Sequence, residues 1–121
     1  MSTMDVGRRL VELCQAGNNR EAVETLYAHD IVSIEAGAPP GQSPITHGRD
    51  AALGKGLWWV DNHEIHSFSC EGPFPHGNRF IVRHNFDITF KPTGQRHSMK
   101  ECALYTVKDG KIVHEEFFYT M

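Results

Sequence analysis

At 121 residues and 13.7 kDa the chain has room for one hydrophobic core, so a single domain spanning residues 1–121 is expected. Hydrophobic residues at 40% and charged residues at 22% are ordinary globular values, which excludes a disordered chain. A formal charge of −3 with no run of Lys and Arg excludes the electrostatic footprint of a nucleic-acid binder.

The opening stretch carries Asp5, Arg8 and Arg9 and lacks the apolar run of a signal peptide. No segment approaches membrane-spanning length, so a cytoplasmic protein with no membrane partner is expected. Val6, Leu10, Val11, Leu13 and Cys14 recur at helical spacing until Gly17-Asn18-Asn19 stops the helix. A second helix is predicted over 20–27, burying Ala22, Val23 and Leu26. The β-branched run Ile31 to Ile34 reads as a short strand, and the prolines and glycines of 37–44 as a loop.

A third helix is predicted from about Arg49 to Asp61, capped near Thr46 or Asp50. Gly54 and Gly56 weaken it by roughly 1 kcal/mol each relative to alanine. Their expected use is close approach to another element. From His63 the pattern changes to period two. A strand over 65–70 is broken by Glu71-Gly72-Pro73 and again by Pro75-His76-Gly77-Asn78. Strands over 80–90, 97–107 and 112–119 follow, joined by hairpins at Lys91-Pro92-Thr93-Gly94 and Lys108-Asp109-Gly110-Lys111. Helices followed by a meander predict an α+β fold.

Both faces of the last strand carry large apolar groups, with Val113, Glu115, Phe117 and Tyr119 on one and Ile112, His114, Glu116 and Phe118 on the other. Three helices cover one face of a sheet, so the outer face is expected to pack on a second copy as a homodimer. A monomer with scattered exposed aromatics is the alternative. The three cysteines, Cys14, Cys70 and Cys102, have no paired spacing and read as reduced buried thiols. His63-Glu64-Ile65-His66 is a poor metal cluster, because strand geometry sends His63 and His66 to opposite faces. Neither a metal nor a cofactor is expected.

The order Tyr27-Ala28-His29-Asp30, a short strand ending at Glu35, a Pro/Gly loop, His47-Gly48-Arg49-Asp50, a helix, and strands closing on Gly110-Lys111-Ile112 resembles the nuclear transport factor 2-like superfamily, SnoaL-like branch. The resemblance covers nearly the whole chain. It implies a cone-shaped α+β barrel, three N-terminal helices on a strongly curved, mostly antiparallel sheet, with a ligand pocket inside. Relatives include ketosteroid isomerase, limonene epoxide hydrolase and polyketide cyclases, so fold alone does not select a reaction.

Carried over by spacing, the general base of ketosteroid isomerase falls on Glu35, while its two oxyanion donors fall on Val11 and Ala103. Steroid isomerisation by that route is disfavoured. The final-strand motif of limonene epoxide hydrolase reads Glu116-Phe117-Phe118-Tyr119 here, so that catalytic set is missing too. The pocket is expected to be lined by Trp59 (or Trp58), His84, Phe86, Ile88, Met99, Ala103, Tyr105, Glu115, Phe117 and Tyr119. Its expected acid–base groups are Glu35, Glu101 and His66. Glu101 stands at an apolar alternation position, which demands a partner or a function. Two functions fit: a cofactor-free acid–base enzyme on a small hydrophobic molecule, of isomerase, cyclase, hydratase or dehydratase type, or a non-catalytic small-molecule-binding domain.

Overall fold

The computed structural model describes residues 1–120. Three helices precede most of a six-stranded sheet: α1 (Thr3–Gln15), α2 (Asn19–Leu26), β1 (Tyr27–Ile34), β2 (Ile45–His47), α3 (Arg49–Asn62), β3 (His63–His76), β4 (Arg79–Phe90), β5 (Gln95–Lys108) and β6 (Lys111–Phe118). The sheet order is β2-β1-β6-β5-β4-β3. All neighbours pair antiparallel except β1 and β6, which run parallel. The α+β class is as expected, but the barrel is not closed. β2 and β3 remain as free edges.

Local chemistry explains most boundaries. Ser2 and Asp5 form a reciprocal capping box that starts α1, at 3.1 Å in each direction. Helix α3 starts instead at Gly48, at φ 94°, with no side-chain cap, so the expected caps at Thr46 and Asp50 are not used. The Asp109-Gly110 tip takes φ 52° and 75°, the left-handed pair that a two-residue hairpin requires.

The predicted break at Glu71-Gly72-Pro73 is corrected, because β3 continues through Gly72, Pro73 and Pro75 to His76, while the break expected at Gly77-Asn78 is a turn. A register shift between Glu71 and Phe74 absorbs the irregularity. β3 is an edge strand, where a proline need not donate to a second neighbour. The short edge strand β2, too brief for a periodic signal, pairs with β1 through Val32–His47 and Ile34–Ile45.

The core lies between the helices and the inner face of the sheet. Val6, Leu10, Val11 and Leu13 of α1 meet Phe80, Val82, Ala103, Tyr105, Val107 and Ile112. Gly7 lies where α1 packs closely on Pro73 of β3. A Cβ built there would lie 2.9 Å from Pro73 Cβ and 3.3 Å from the Phe80 ring. Gly7→Ala is therefore expected to cost about 1–3 kcal/mol by overpacking. A lowered urea midpoint at unchanged slope would show it, and an unchanged midpoint would refute it. Gly54 and Gly56, expected to serve close packing, have nothing within 4 Å of a built Cβ.

Candidate functional site

β1, β6 and α3 converge at one end of the inner face. The alternation of β1 directs Ile31 and Ser33 inward, and both are fully buried. Across the parallel pairing Ser33 faces Glu115 of β6 in register. Glu115 is only 3% exposed, yet both carboxylate oxygens are satisfied. Ser33 Oγ donates to Oε1 at 2.7 Å, and the Tyr27 hydroxyl donates to Oε2 in a short hydrogen bond. Burial raises the Glu115 pKa, opposed by the bonds from Tyr27 and Ser33. The Tyr27 hydroxyl is pushed well up by its own burial and by the neighbouring Glu115.

Lys55 of α3 extends this network. Its Nζ donates to Ser33 Oγ at 2.5 Å and to Glu35 Oε1 at 2.9 Å. The other Glu35 oxygen accepts from the Tyr119 hydroxyl at 2.9 Å. Glu35 itself is fixed by its backbone N–H, which donates to the Pro44 carbonyl at 2.9 Å. The Lys55 ammonium sits 5.4 Å from the Phe117 ring centroid, within cation–π range. An ammonium carries three donors, and two are used among the described residues. The third is available to an incoming acceptor.

Glu101 of β5 stands beside this network without a hydrogen bond or ion pair among the described residues. Burial lifts its pKa to about 7. The charges of Glu35 and Glu115 add to that shift, while His84 and Lys55 oppose it. Tyr119 is likewise raised, by burial first and then by Glu35. A carboxyl group poised near neutrality, a partly exposed lysine and a tyrosine thus share one end of the inner face.

A second row crosses the floor. Cys70, His84 and Glu101 are register partners on β3, β4 and β5. Cys70 Sγ lies 3.3 Å from His84 Nδ1. The Cys14 thiol, reaching over from α1, lowers the Cys70 pKa with help from His84, and is itself raised in return. Cys70 is buried as expected, whereas Cys14 is half-buried and Cys102 exposed.

The remaining expected lining divides into two groups. Phe86, Met99, Phe117, Tyr119 and Trp59 are half-buried. Trp59 stacks on His63 with centroids 4.3 Å apart and meets Phe86 at 5.1 Å. Trp58 is 56% exposed, with its ring 6.5 Å from that of Phe90. Ile88, Ala103 and Tyr105 are instead buried core, with Tyr105 stacked on Phe80 at 5.0 Å.

His66 is the misplaced member of the expected set. It sits at a register shift between Ile65 and Ser67, is exposed, and bonds Thr89 Oγ1 at 2.7 Å on the outer side. The extra residue at this bulge turns the imidazole away from the inner face. Lys55, Ser33, Tyr27 and Cys70 were not among the expected site residues. Two signals pointed to them: Ser33 alternates with Ile31 and Glu35, and Lys55 lies one helical turn from Trp59.

Two grooves, of about 420 and 280 Å³, are both open. The larger is lined chiefly by outer-face residues, Arg83, Asn85, Lys100, Cys102 and Phe118, where β5 extends past the end of β6. Among the described residues no group of three or more His, Cys, Asp or Glu could hold a metal ion. No helix among them is long and apolar enough to cross a membrane.

Fold and site together define an α+β domain with an ionisable cluster at the open end of its sheet. The profile of the SnoaL-like domain family matches residues 1–119, and the chain belongs to that family. A crystal structure from Mesorhizobium loti, provisionally described as a SnoaL-like polyketide cyclase with carbohydrate phosphatase given beside it, is 43% identical. It covers 98% of this chain and 100% of that one, at a TM-score of 0.92. A provisionally described isomerase from Bacillus subtilis is 17% identical, covering 99% and 90% of the two chains at a TM-score of 0.77. A protein from Catenulispora acidiphila with a ketosteroid isomerase-like fold, solved with trimethylamine, is 16% identical, covering 93% and 82% at 0.70. The last two likenesses speak to fold alone. A search of the curated proteins finds no match.

Proposed function

We propose that the protein is a cofactor-free acid–base enzyme acting on a small, uncharged, hydrophobic carbonyl compound. The observation that carries this reading is Glu101, whose pKa of about 7 lies beside the unused donor of Lys55. A carboxylate at that pKa takes a proton from the carbon next to a carbonyl and returns it to the same or another carbon. The negative charge that develops on the carbonyl oxygen is met by the third Lys55 N–H, while the single Tyr119 hydroxyl proton stays committed to Glu35. Glu35, engaged by both, holds them in place rather than serving as the base. Phe86, Met99, Phe117 and Trp59 offer the apolar contact surface.

The test is hydrogen–deuterium exchange at the α-carbon of a panel of cyclic and aryl ketones, followed by NMR. Wild-type protein is expected to accelerate exchange for a member of the panel. Glu101→Gln should remove about 10²–10⁴-fold of that acceleration. Equal rates for Glu101→Gln and wild type would overturn the assignment.

A non-catalytic binding domain is favoured by Val11 and Ala103, which put apolar groups where the ketosteroid isomerase resemblance calls for oxyanion donors. It predicts ligand-dependent thermal stabilisation that persists in Glu101→Gln, with no exchange catalysed by the wild type.

We further propose that the outer sheet face pairs with a second copy. Phe118, Phe74 and Ile81 are exposed, at 50, 53 and 39%. Phe118→Glu should convert a dimer to a monomer in light scattering. A wild-type protein that is monomeric at high concentration would exclude the pairing.

A further inference from the structure

The outer face of the sheet carries two cations that no carboxylate holds. Arg83 stands opposite Cys102 and Asn85 opposite Lys100, so Arg83 and Lys100 are diagonal neighbours on one face of β4 and β5. Neither makes an ion pair among the described residues. The nearby carboxylates leave them free. Asp87 is taken by Arg96 through bonds of 3.0 and 2.8 Å, and Glu71, directly across from Arg83, forms no ion pair with it. Glu101 borders the larger groove but belongs to the inner face, and at a pKa of about 7 it is half-protonated at neutral pH. Both grooves meet at this place: Asn85 and Lys100 line each of them, and Arg83 lines the larger. The Asn85 amide gives one N–H to Ser69 Oγ at 3.2 Å and keeps its other. Phe118, half exposed, supplies an apolar wall to the larger groove.

We infer that this part of the outer face binds a phosphate monoester with an apolar substituent. The Arg83 guanidinium presents a planar fork of N–H donors, Lys100 an ammonium, and Asn85 its free amide N–H. Two positive charges and these converging donors match the double charge and the acceptor oxygens of a phosphoryl group. The bound anion also relieves the repulsion between two neighbouring cations. A carboxylate, with a single charge and fewer oxygens, satisfies the set less well. Phe118 meets the apolar substituent. The site lies across the sheet from the acid–base cluster and needs none of its chemistry. It sits at the rim of the apolar patch of Ile81 and Phe74, which are register partners further along the same strands.

The experiment titrates the isotope-labelled protein with phenyl phosphate at neutral pH and low ionic strength, following backbone amides by NMR. Saturable shifts are expected at Arg83, Asn85, Lys100 and Cys102, with a Kd on the order of 1 mM. Arg83→Ala and Lys100→Ala should each weaken binding by about 5-fold or more. Both side chains are exposed, and thermal melts check that the variants stay folded. Lys108→Ala removes the same charge at the far end of β5 and should bind as the wild type does. Benzoate, which keeps the ring but carries one charge, should bind at least ~5-fold more weakly. Shifts that stay linear to about 50 mM would overturn the proposal, as would shifts reproduced by sodium chloride at equal ionic strength. Equal weakening in Lys108→Ala, or equal affinity for benzoate, would do the same.

Discussion

Glu115→Ala is expected to destabilise the protein by about 3–5 kcal/mol, because it strips a buried acceptor from donors that have no other outlet. Tyr27 and Ser33 both donate to Glu115, and Lys55 donates to Ser33 in turn. Removal leaves the Tyr27 hydroxyl and the fully buried Ser33 without their acceptor, and opens a void beneath β6. For a domain of this size the loss corresponds to a fall in Tm of more than ~10 °C. Glu115→Gln keeps one oxygen to accept from Tyr27 and should lose much less. Urea unfolding of both variants distinguishes the cases. If alanine and glutamine cost the same, hydrogen bonding at this position is not what holds β1 to β6.

Glu101→Gln is expected to move stability the other way, by an amount that grows from about pH 4.5 to about pH 7 and then levels off. The folded-state pKa of Glu101 is raised, by burial first, from 4.5 to about 7. The folded protein therefore holds the proton more tightly than the unfolded chain does. Its favourable contribution is fully present below about pH 4.5 and is lost as pH rises through about 7. A glutamine never ionises. The variant should match the wild type near pH 4 and exceed it at pH 8 by at most about 3.5 kcal/mol, at roughly 1.4 kcal/mol per pKa unit. Denaturant titrations at the two pH values give the comparison. A constant difference between variant and wild type would mean that Glu101 ionises equally easily in both states. The same variant loses turnover under the proposed mechanism, so one residue would trade stability for activity at alkaline pH.

Much of the architecture was legible in the residues because periodicity is a strong signal in long elements. β4 and β5 alternate almost without exception, and the Asp109-Gly110 tip fixes their neighbour's turn. Where reading failed, a short-range cue was overruled by longer-range pairing. Gly72 and Pro73 look like a strand break, but an edge position and a register shift let β3 run on. His66 was assigned inward by simple alternation, and the bulge at that very residue reversed its side. Glu101, Glu115 and Tyr119 were recoverable because a charge or hydroxyl at an apolar alternation position stands out. Lys55 was not, because a lysine on a glycine-rich helix reads as solvated until β1 supplies Ser33 and Glu35 as its acceptors.

The parallel pairing of β1 with β6 has a kinetic corollary. Tyr27 and Glu115 are 88 residues apart along the chain, and Ser33 and Glu115 are 82. A nascent polypeptide still on the ribosome can assemble the helices and the β3–β5 meander while Ser33 and Tyr27 wait for their acceptor. Docking of residues 111–118 is thus a late, entropically expensive long-range closure. Until it happens, the inner surface that gathers Lys55, Glu35 and Glu101 is exposed to whatever chaperone meets it first.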